Sequence, residues 1–206
     1  MTTIPGQNVK DAKVVMLGST TVGKSSLVTR LTKDFFSSES VSTIGAAFLS
    51  KTLTIGKEQI KLQIWDTSGS ERYRAMAPMY YQNADAAVIV YDITSKDSFN
   101  DINEWLSELL EKGPPNIIIA LVGNKLDLSL NRKINTNVAQ EFADKHNLHI
   151  FKEASALTGE NVNDVFSDIA TLIAEGGPKV RAGLKLTSDN PTVNKKNSSK
   201  KGGCCK

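Results

Sequence analysis

Gly18-Ser19-Thr20-Thr21-Val22-Gly23-Lys24-Ser25 is the stretch that decides the fold. It fits G-x-x-x-x-G-K-[ST] at every fixed position, follows the short apolar run Val14 to Leu17 and precedes a helical pattern starting near Ser26. A strand, a glycine-bearing loop and a helix in that order point successive backbone N–H groups at phosphate oxygens at the positive end of a helix. In such a loop Lys24 reaches the β- and γ-phosphates and the Ser25 hydroxyl is a ligand for Mg²⁺.

The rest of the chain continues the alternation. Ala86 to Tyr91 and Ile117 to Val122 are short, β-branched apolar runs, as expected of strands buried on both faces. Glu58 to Trp65 alternates instead, with Ile60, Leu62 and Ile64 on one face and Lys61 and Gln63 on the other. It follows Phe48 to Ile55 across Gly56-Lys57, a link suited to an antiparallel hairpin. Phe99, Ile102, Leu106, Leu109 and Leu110 form one helical stripe, and Val162, Val165, Phe166, Ile169 and Ile173 form another. The expectation is an α/β P-loop NTPase fold: a sheet of about six strands, mostly parallel, with one antiparallel edge hairpin and helices on both faces. Ligands of such sheets sit beyond the carboxyl ends of the strands, so the loops after Leu17, Trp65 and Val122 are where chemistry should collect.

Asn124-Lys125-Leu126-Asp127 follows the strand at Ile117 to Gly123 and matches the N-K-x-D element of GTPases. A carboxylate at Asp127 accepts two hydrogen bonds from guanine N1–H and N2–H, a donor pair that adenine does not offer. Asn124 and the stem of Lys125 would brace the loop and cover the base. Ser155-Ala156-Leu157 resembles the S-A-K loop of the same proteins, in which the alanine N–H meets guanine O6, with Leu157 in place of lysine. Asp66-Thr67-Ser68-Gly69 resembles their D-x-x-G element: Asp66 would hold Mg²⁺ through a water and the Gly69 N–H would meet the γ-phosphate, where a Cβ would crowd it. Thr43 is the candidate second hydroxyl ligand of Mg²⁺, engaged only while the γ-phosphate is present.

Together these elements resemble the Ras superfamily from about Lys13 to Ile173. Ser42-Thr43-Ile44-Gly45-Ala46-Ala47-Phe48-Leu49, Ile64 to Thr67, Ala77 to Tyr81 and Tyr91 to Thr94 look like a Rab, closest to the early-endosomal subgroup. The resemblance implies a GTP/GDP switch in vesicle traffic. Gly18, Ser19, Thr20, Thr21, Val22, Gly23, Lys24, Ser25 and Ser26 would surround the phosphates, and Phe36 would stand edge-on to guanine. Ile44, Gly45, Phe48, Trp65 and Tyr80 would form the effector surface, the last three as an aromatic triad. Lys24, Thr43, Gly69 and Ser70 would be the catalytic set. Here the chain departs from the family: D-T-A-G-Q-E is Asp66-Thr67-Ser68-Gly69-Ser70-Glu71, so Ser70 stands where glutamine orients the attacking water. Serine is two carbons shorter and offers one hydroxyl for an amide's donor and acceptor. No arginine precedes Thr43 to act in cis. Weak hydrolysis is therefore expected, unless a TBC-type GTPase-activating protein supplies arginine and glutamine.

The 206-residue chain has 40% hydrophobic residues and a net charge of +3, enough for one core and short for two. Eight of its 25 Lys and Arg but only one of its 22 acids, Asp189, fall from Gly176 onward, leaving a body near −4 and a tail near +7. A mildly acidic body argues against nucleic-acid binding, while a basic tail is drawn to acidic lipid headgroups. The organisation expected is a flexible extension over residues 1–11, a GTPase domain over 12–175 and a disordered basic tail over 176–206. No run of signal-peptide or membrane-spanning length occurs, so the body is expected in the cytosol. The two cysteines, Cys204 and Cys205, cannot frame a disulfide fold. They resemble the doubly geranylgeranylated termini of Rabs, which implies a prenyl escort protein, a GDP-dissociation inhibitor holding a cytosolic GDP-bound pool, and an anchor on the cytoplasmic face of endosomal membranes. An exchange factor and effectors that read the two switch segments complete the implied partners. Three readings stay open: a cycling switch, a GTP-locked membrane scaffold, and, disfavoured by Asn124 to Asp127, a P-loop enzyme such as a nucleotide kinase.

Overall fold

The computed structural model describes residues 9–38, 42–74 and 76–177. Within them six strands form one sheet in the order β2-β3-β1-β4-β5-β6. The strands are β1 Val9–Leu17, β2 Ala46–Ile55, β3 Glu58–Thr67, β4 Ala86–Asp92, β5 Ile118–Asn124 and β6 Ile150–Glu153. Every neighbouring pair is parallel except β2 and β3, which run antiparallel from Ile55↔Glu58 to Ala46↔Thr67. Gly56, at φ +59, makes the turn between them.

The central strands bury both faces because successive side chains point to opposite sides. On β1, Val14 and Met16 join one core layer while Val15 and Leu17 join the other; on β4, Ala86, Val88 and Val90 oppose Ala87, Ile89 and Tyr91. The first layer is covered by α1 (Lys24–Lys33) through Leu27, Val28 and Leu31, and by α7 (Val162–Ala174) through the stripe read from the sequence. The second is covered by α3 (Ala77–Tyr81), α5 (Ile102–Lys112) and α6 (Thr136–Lys145). Each fully buried Val, Leu or Ile contributes about 1.5–3 kcal/mol of transfer free energy, so the double-faced strands dominate stability.

Four expectations need correction. β1 starts at Val9, so residues 9–11 are not part of a flexible extension. They pair with Gln59 to Lys61, but their side chains project beyond the core and are exposed, leaving no apolar run to read. The stripe from Phe99 to Leu110 is two helices, α4 (Lys96–Asn100) and α5, meeting at Asp101. Ser95 caps α4 by accepting from the Ser98 N–H, and Ser98 Oγ accepts from the Asp92 N–H, which ties α4 to the end of β4. Helix α1 begins at Lys24 rather than near Ser26. The tail was expected to begin at Gly176, yet the Gly176 and Gly177 N–H groups donate to Ile173 and Leu172 carbonyls and finish α7. The remaining tail, with Cys204 and Cys205, and the first eight residues lie outside the described residues. Among those described, no helix is long and apolar enough to cross a membrane.

Candidate functional site

A cleft of about 590 Å³ opens beyond the carboxyl ends of β1, β3 and β5. One end is lined by Thr20, Thr21, Gly23, Lys24, Ser25 and Ser26 of the loop after β1. The loop is shaped by its glycines. Gly18 (φ +131) lies where a Cβ would meet the Val90 carbonyl oxygen at 2.3 Å, and Gly23 (φ +95) where a Cβ would meet Asn124 Nδ2 at 2.2 Å. Lys24 is almost fully buried and folds back, its Nζ donating to the Gly18 and Ser19 carbonyls at 2.8 and 2.9 Å. Burial pulls its pKa down to about 8 against the opposing pull of the Asp66 carboxylate.

Ser25, Thr43 and Asp66 converge from three elements. The Ser25 and Thr43 hydroxyl oxygens are 2.9 Å apart. Burial pushes the Asp66 carboxyl upward, countered by the Ser25 hydroxyl, the Lys24 ammonium and the Thr43 hydroxyl. Its Oδ1 is buried with no hydrogen-bond partner. Two hydroxyls and a carboxylate with an orphaned oxygen form a hard-oxygen donor set of the kind Mg²⁺ takes, completing its shell with water and phosphate oxygens. The residues present therefore fit that ion.

Thr43 and Gly69 belong to segments that touch each other. The Ser68 N–H donates to the Gly45 carbonyl at 2.8 Å, which continues the β2–β3 ladder toward the cleft. Gly69 has no room for a side chain, but the crowding comes from the loop after β1: a Cβ would lie 2.3 Å from Ser19 C and 2.5 Å from the Gly18 and Ser19 oxygens. A side chain there would therefore clash with the loop backbone itself. Ser70 lines the cleft, but its Oγ accepts from the Arg72 N–H at 3.4 Å and its own N–H donates to Ser68 Oγ at 3.3 Å. Both serines thus serve the start of α2 (Glu71–Arg74).

The far end of the cleft is built by Asn124. Its Nδ2 donates to the Val22 carbonyl at 2.8 Å and its Oδ1 accepts the Ala156 N–H at 3.2 Å, so one side chain ties three loops together. The Ala156 N–H, expected to face guanine O6, is thereby already engaged, and an incoming carbonyl must share it. Ser155 Oγ donates to Asp127 Oδ1 at 2.5 Å and accepts from the Thr158 N–H, orienting the carboxylate. Lys125, in the left-handed region at φ +70, pairs with Asp92 Oδ2 at 2.7 Å. Burial would raise the Asp92 carboxyl, but bonds from Lys125 and Thr94 outweigh it and hold the group below the usual range. Phe36 and Leu157 also line the cleft, Leu157 being 48% exposed.

Of the residues expected to bind nucleotide, Gly18, Ser19, Val22 and Ser155 stand behind the cleft wall. Val22 and Ser155 are buried, and the Ser19 hydroxyl turns away to donate to Asp101 Oδ2. Sequence reasoning missed Ser37, Ser38, Ser42, Arg72, Tyr73 and Leu128 in the lining, and no spacing rule marks them. Outside the cleft, Phe48, Trp65 and Tyr80 do form a contiguous aromatic run. Phe48 meets Trp65 edge-on at 5.5 Å, and Trp65 lies 5.9 Å from Tyr80. Phe48 is 55% and neighbouring Ile44 80% exposed, so the Phe48 end of this run is surface, while Trp65 and Tyr80 also pack against the second core layer. The Lys13 ammonium stands 5.4 Å over the Trp65 ring.

Comparison with known proteins agrees with this geometry. A model described as "Ras family" matches residues 13–175. The chain is 47% identical over 193 residues to the Ras-related protein Rab-5A of Dictyostelium discoideum, covering 94% of each chain. It is 48% identical over 172 residues to Ras-related protein Rab5A of Oryza sativa subsp. japonica, covering 84% of each. To Ras-related protein Rab5 of Nicotiana tabacum it is 43% identical over 198 residues, covering 96% of each. A P-loop closed against β3, a base-sized cleft end held by Asn124 and this likeness along nearly the whole chain place it in the Ras family, as a GTP-hydrolysing Rab-type small GTPase similar to proteins that carry the Rab5 name.

Proposed function

We propose that this chain is a GTP/GDP-dependent switch of endocytic, early-endosomal vesicle traffic with weak intrinsic hydrolysis. The observation that carries the nucleotide reading is the pair of chemically different ends of one cleft: the buried Lys24 ammonium beside Ser25 and Thr43, and the Asp127 carboxylate held by Ser155. In this reading the Thr20 to Ser26 N–H groups and Lys24 receive the phosphates, and Phe36, Lys125, Asp127 and the 155–157 loop receive guanine. Ser25 and Thr43 would hold Mg²⁺ directly and Asp66 through a water. That ion supplies charge neutralisation to the β- and γ-phosphate oxygens. Gly69, seated on the loop after β1, brings the second switch segment to the γ-phosphate, and the bond from the adjacent Ser68 N–H to the Gly45 carbonyl carries the change to Ile44, Phe48, Trp65 and Tyr80. These residues form the effector surface. An exchange factor, a TBC-type activating protein and a GDP-dissociation inhibitor are the partners such a cycle requires.

The weak-hydrolysis part rests on Ser70, whose hydroxyl faces the α2 backbone. In single-turnover assays Ser70→Gln is expected to raise hydrolysis about tenfold, equivalent to about 1.4 kcal/mol of barrier, with GTP affinity nearly unchanged, as befits a contact made only in the transition state. Ser68→Ala combined with it tests whether the neighbouring serine blocks glutamine. An unmutated protein that matches the rate of Ras with its glutamine, on the order of 10⁻⁴ s⁻¹, and gains nothing from either variant would refute the handicap. The nucleotide that copurifies distinguishes the two modes of action, GDP indicating a cycling switch and GTP a locked scaffold.

Membrane attachment is assigned to Cys204 and Cys205 through two geranylgeranyl chains added with an escort protein, assisted by the basic tail. Removing Cys204 to Lys206 is expected to release the protein from membranes in fractionated cells and leave nucleotide affinity unchanged, since among the described residues the cleft lining runs from Thr20 to Leu157. Continued sedimentation with membranes would contradict the assignment.

A further inference from the structure

We propose that Arg30 is a positioning residue for guanine recognition, clamping the loop that carries Ala156 and Leu157 to the exit of α1. The inference rests on the guanine-nucleotide reading of the cleft and extends it to a residue outside the lining. Arg30 lies in the last turn of α1, and its side chain is only 17% exposed. All three guanidinium nitrogens are used: Nε donates to the Ala156 carbonyl at 3.0 Å, the second terminal nitrogen to the Leu157 carbonyl at 2.7 Å, and the first to Asp34 O and Oδ1, both at 3.0 Å. The Arg30 stem passes Gly159, where a Cβ at φ +87 would sit 3.5 Å from Arg30 Cδ. The Arg30 carbonyl in turn accepts the Asp34 N–H, which ends the helix in the left-handed region at φ +49.

The consequence is geometric. Ala156 and Leu157 line the cleft, and so does Phe36, two residues beyond Asp34. One planar fork therefore ties the 156–157 loop to the chain leaving α1 ahead of Phe36, which a point-charge lysine cannot do. Leu157 replaces a lysine in the family pattern, so in this chain the loop is held through its carbonyls rather than through its own side chain. Holding these N–H groups in place matters for a purine oxygen at position 6, whereas Asp127 reads positions 1 and 2 from another loop.

The test measures dissociation of GDP and of 2-aminopurine riboside diphosphate, which keeps the 2-amino group and lacks O6 and with it N1–H, from the full chain with Mg²⁺. The lost N1–H contact to Asp127 is common to variant and unmutated protein, so the change in their ratio reads O6. Arg30→Ala is expected to release GDP about tenfold faster, with a smaller acceleration for the analogue, so that discrimination between the two falls. The acceleration caused by chelating Mg²⁺ is expected to stay the same, because the metal donors lie at the other end of the cleft. Arg30→Lys should restore only part of the loss, and it carries the test if Arg30→Ala does not fold. GDP release as slow as in the unmutated protein, or equal acceleration for both nucleotides, would overturn the proposal in favour of a purely structural clamp. An unmutated protein that does not distinguish the two nucleotides would instead overturn the reading of the 155–157 loop as an O6 site, and the clamp's role with it.

Discussion

Asp127→Asn is expected to lower GTP affinity by about 10²- to 10⁴-fold, because two hydrogen bonds to a charged acceptor are each worth about 1.5–3 kcal/mol. Ser155 decides which way the new amide turns. Its hydroxyl donates to Asp127 Oδ1 and accepts from the Thr158 N–H, so asparagine keeps that arrangement by directing its carbonyl there and its NH₂ toward the base. The NH₂ then opposes the guanine 2-amino group, donor against donor, in a site built to accept, and the lost charge weakens the contact to N1–H. Competition of GTP, ATP and xanthosine triphosphate against labelled GDP checks this. Guanine preference should fall and xanthine, which presents an acceptor at position 2, should gain. If GTP and ATP already compete equally for the unmutated protein, Asp127 does not read the base.

Ser25→Asn is expected to lower GTP affinity about a hundredfold and GDP affinity much less, and to flatten the dependence of GTP binding on Mg²⁺ concentration. The reason lies in the donor set. Ser25 Oγ stands 2.9 Å from Thr43 Oγ1, and both hydroxyls pull the Asp66 carboxyl downward against its burial, while its Oδ1 is orphaned. Asparagine adds a carbon and an NH₂ to this closely spaced group and replaces a compact oxygen ligand with a longer amide that demands its own acceptor. The γ-phosphate depends most on charge neutralisation there, so the triphosphate suffers more. Titrating both nucleotides over a range of Mg²⁺ gives the answer, and equal losses for GTP and GDP would remove Ser25 from the metal site.

The exposed aromatic run shows why two ordinary fates of an aromatic side chain coexist. Trp65 and Tyr80 pack partly against the second core layer, while Phe48, on the edge strand β2, meets the Trp65 ring and is 55% exposed. The register Phe48↔Trp65 sets the edge-on contact. A shift of one residue in that pairing would turn Phe48 to the opposite face.

Much of this was legible in residue order. The loop from Gly18 to Ser25, the apolar runs of β4 and β5, the alternation of β3, the hairpin at Gly56 and the stripe of α7 each carry a local physical signature, and local signatures survive without neighbours. The loops that hold Lys24, Asn124 and Asp127 were placed by the strands before them, because a parallel sheet delivers every such loop to the same edge. Helix α6 had no signature: its buried residues are Ala139 and Ala143, too small to make a stripe, though Asn135 caps it through the Asn137 N–H. Residues 9–11 showed none either, since an exposed strand end is polar and only its partner Gln59 to Lys61 makes it a strand. Tertiary structure alone decided what fills the space around each motif. It placed the Gly18 and Ser19 backbone against Gly69, the Ala156 N–H on Asn124, the Ser70 hydroxyl on α2 and the Arg30 fork on a loop 126 residues away. These are contacts between segments distant in sequence, and their geometry follows from how the sheet stacks its loops, which no spacing within one segment encodes.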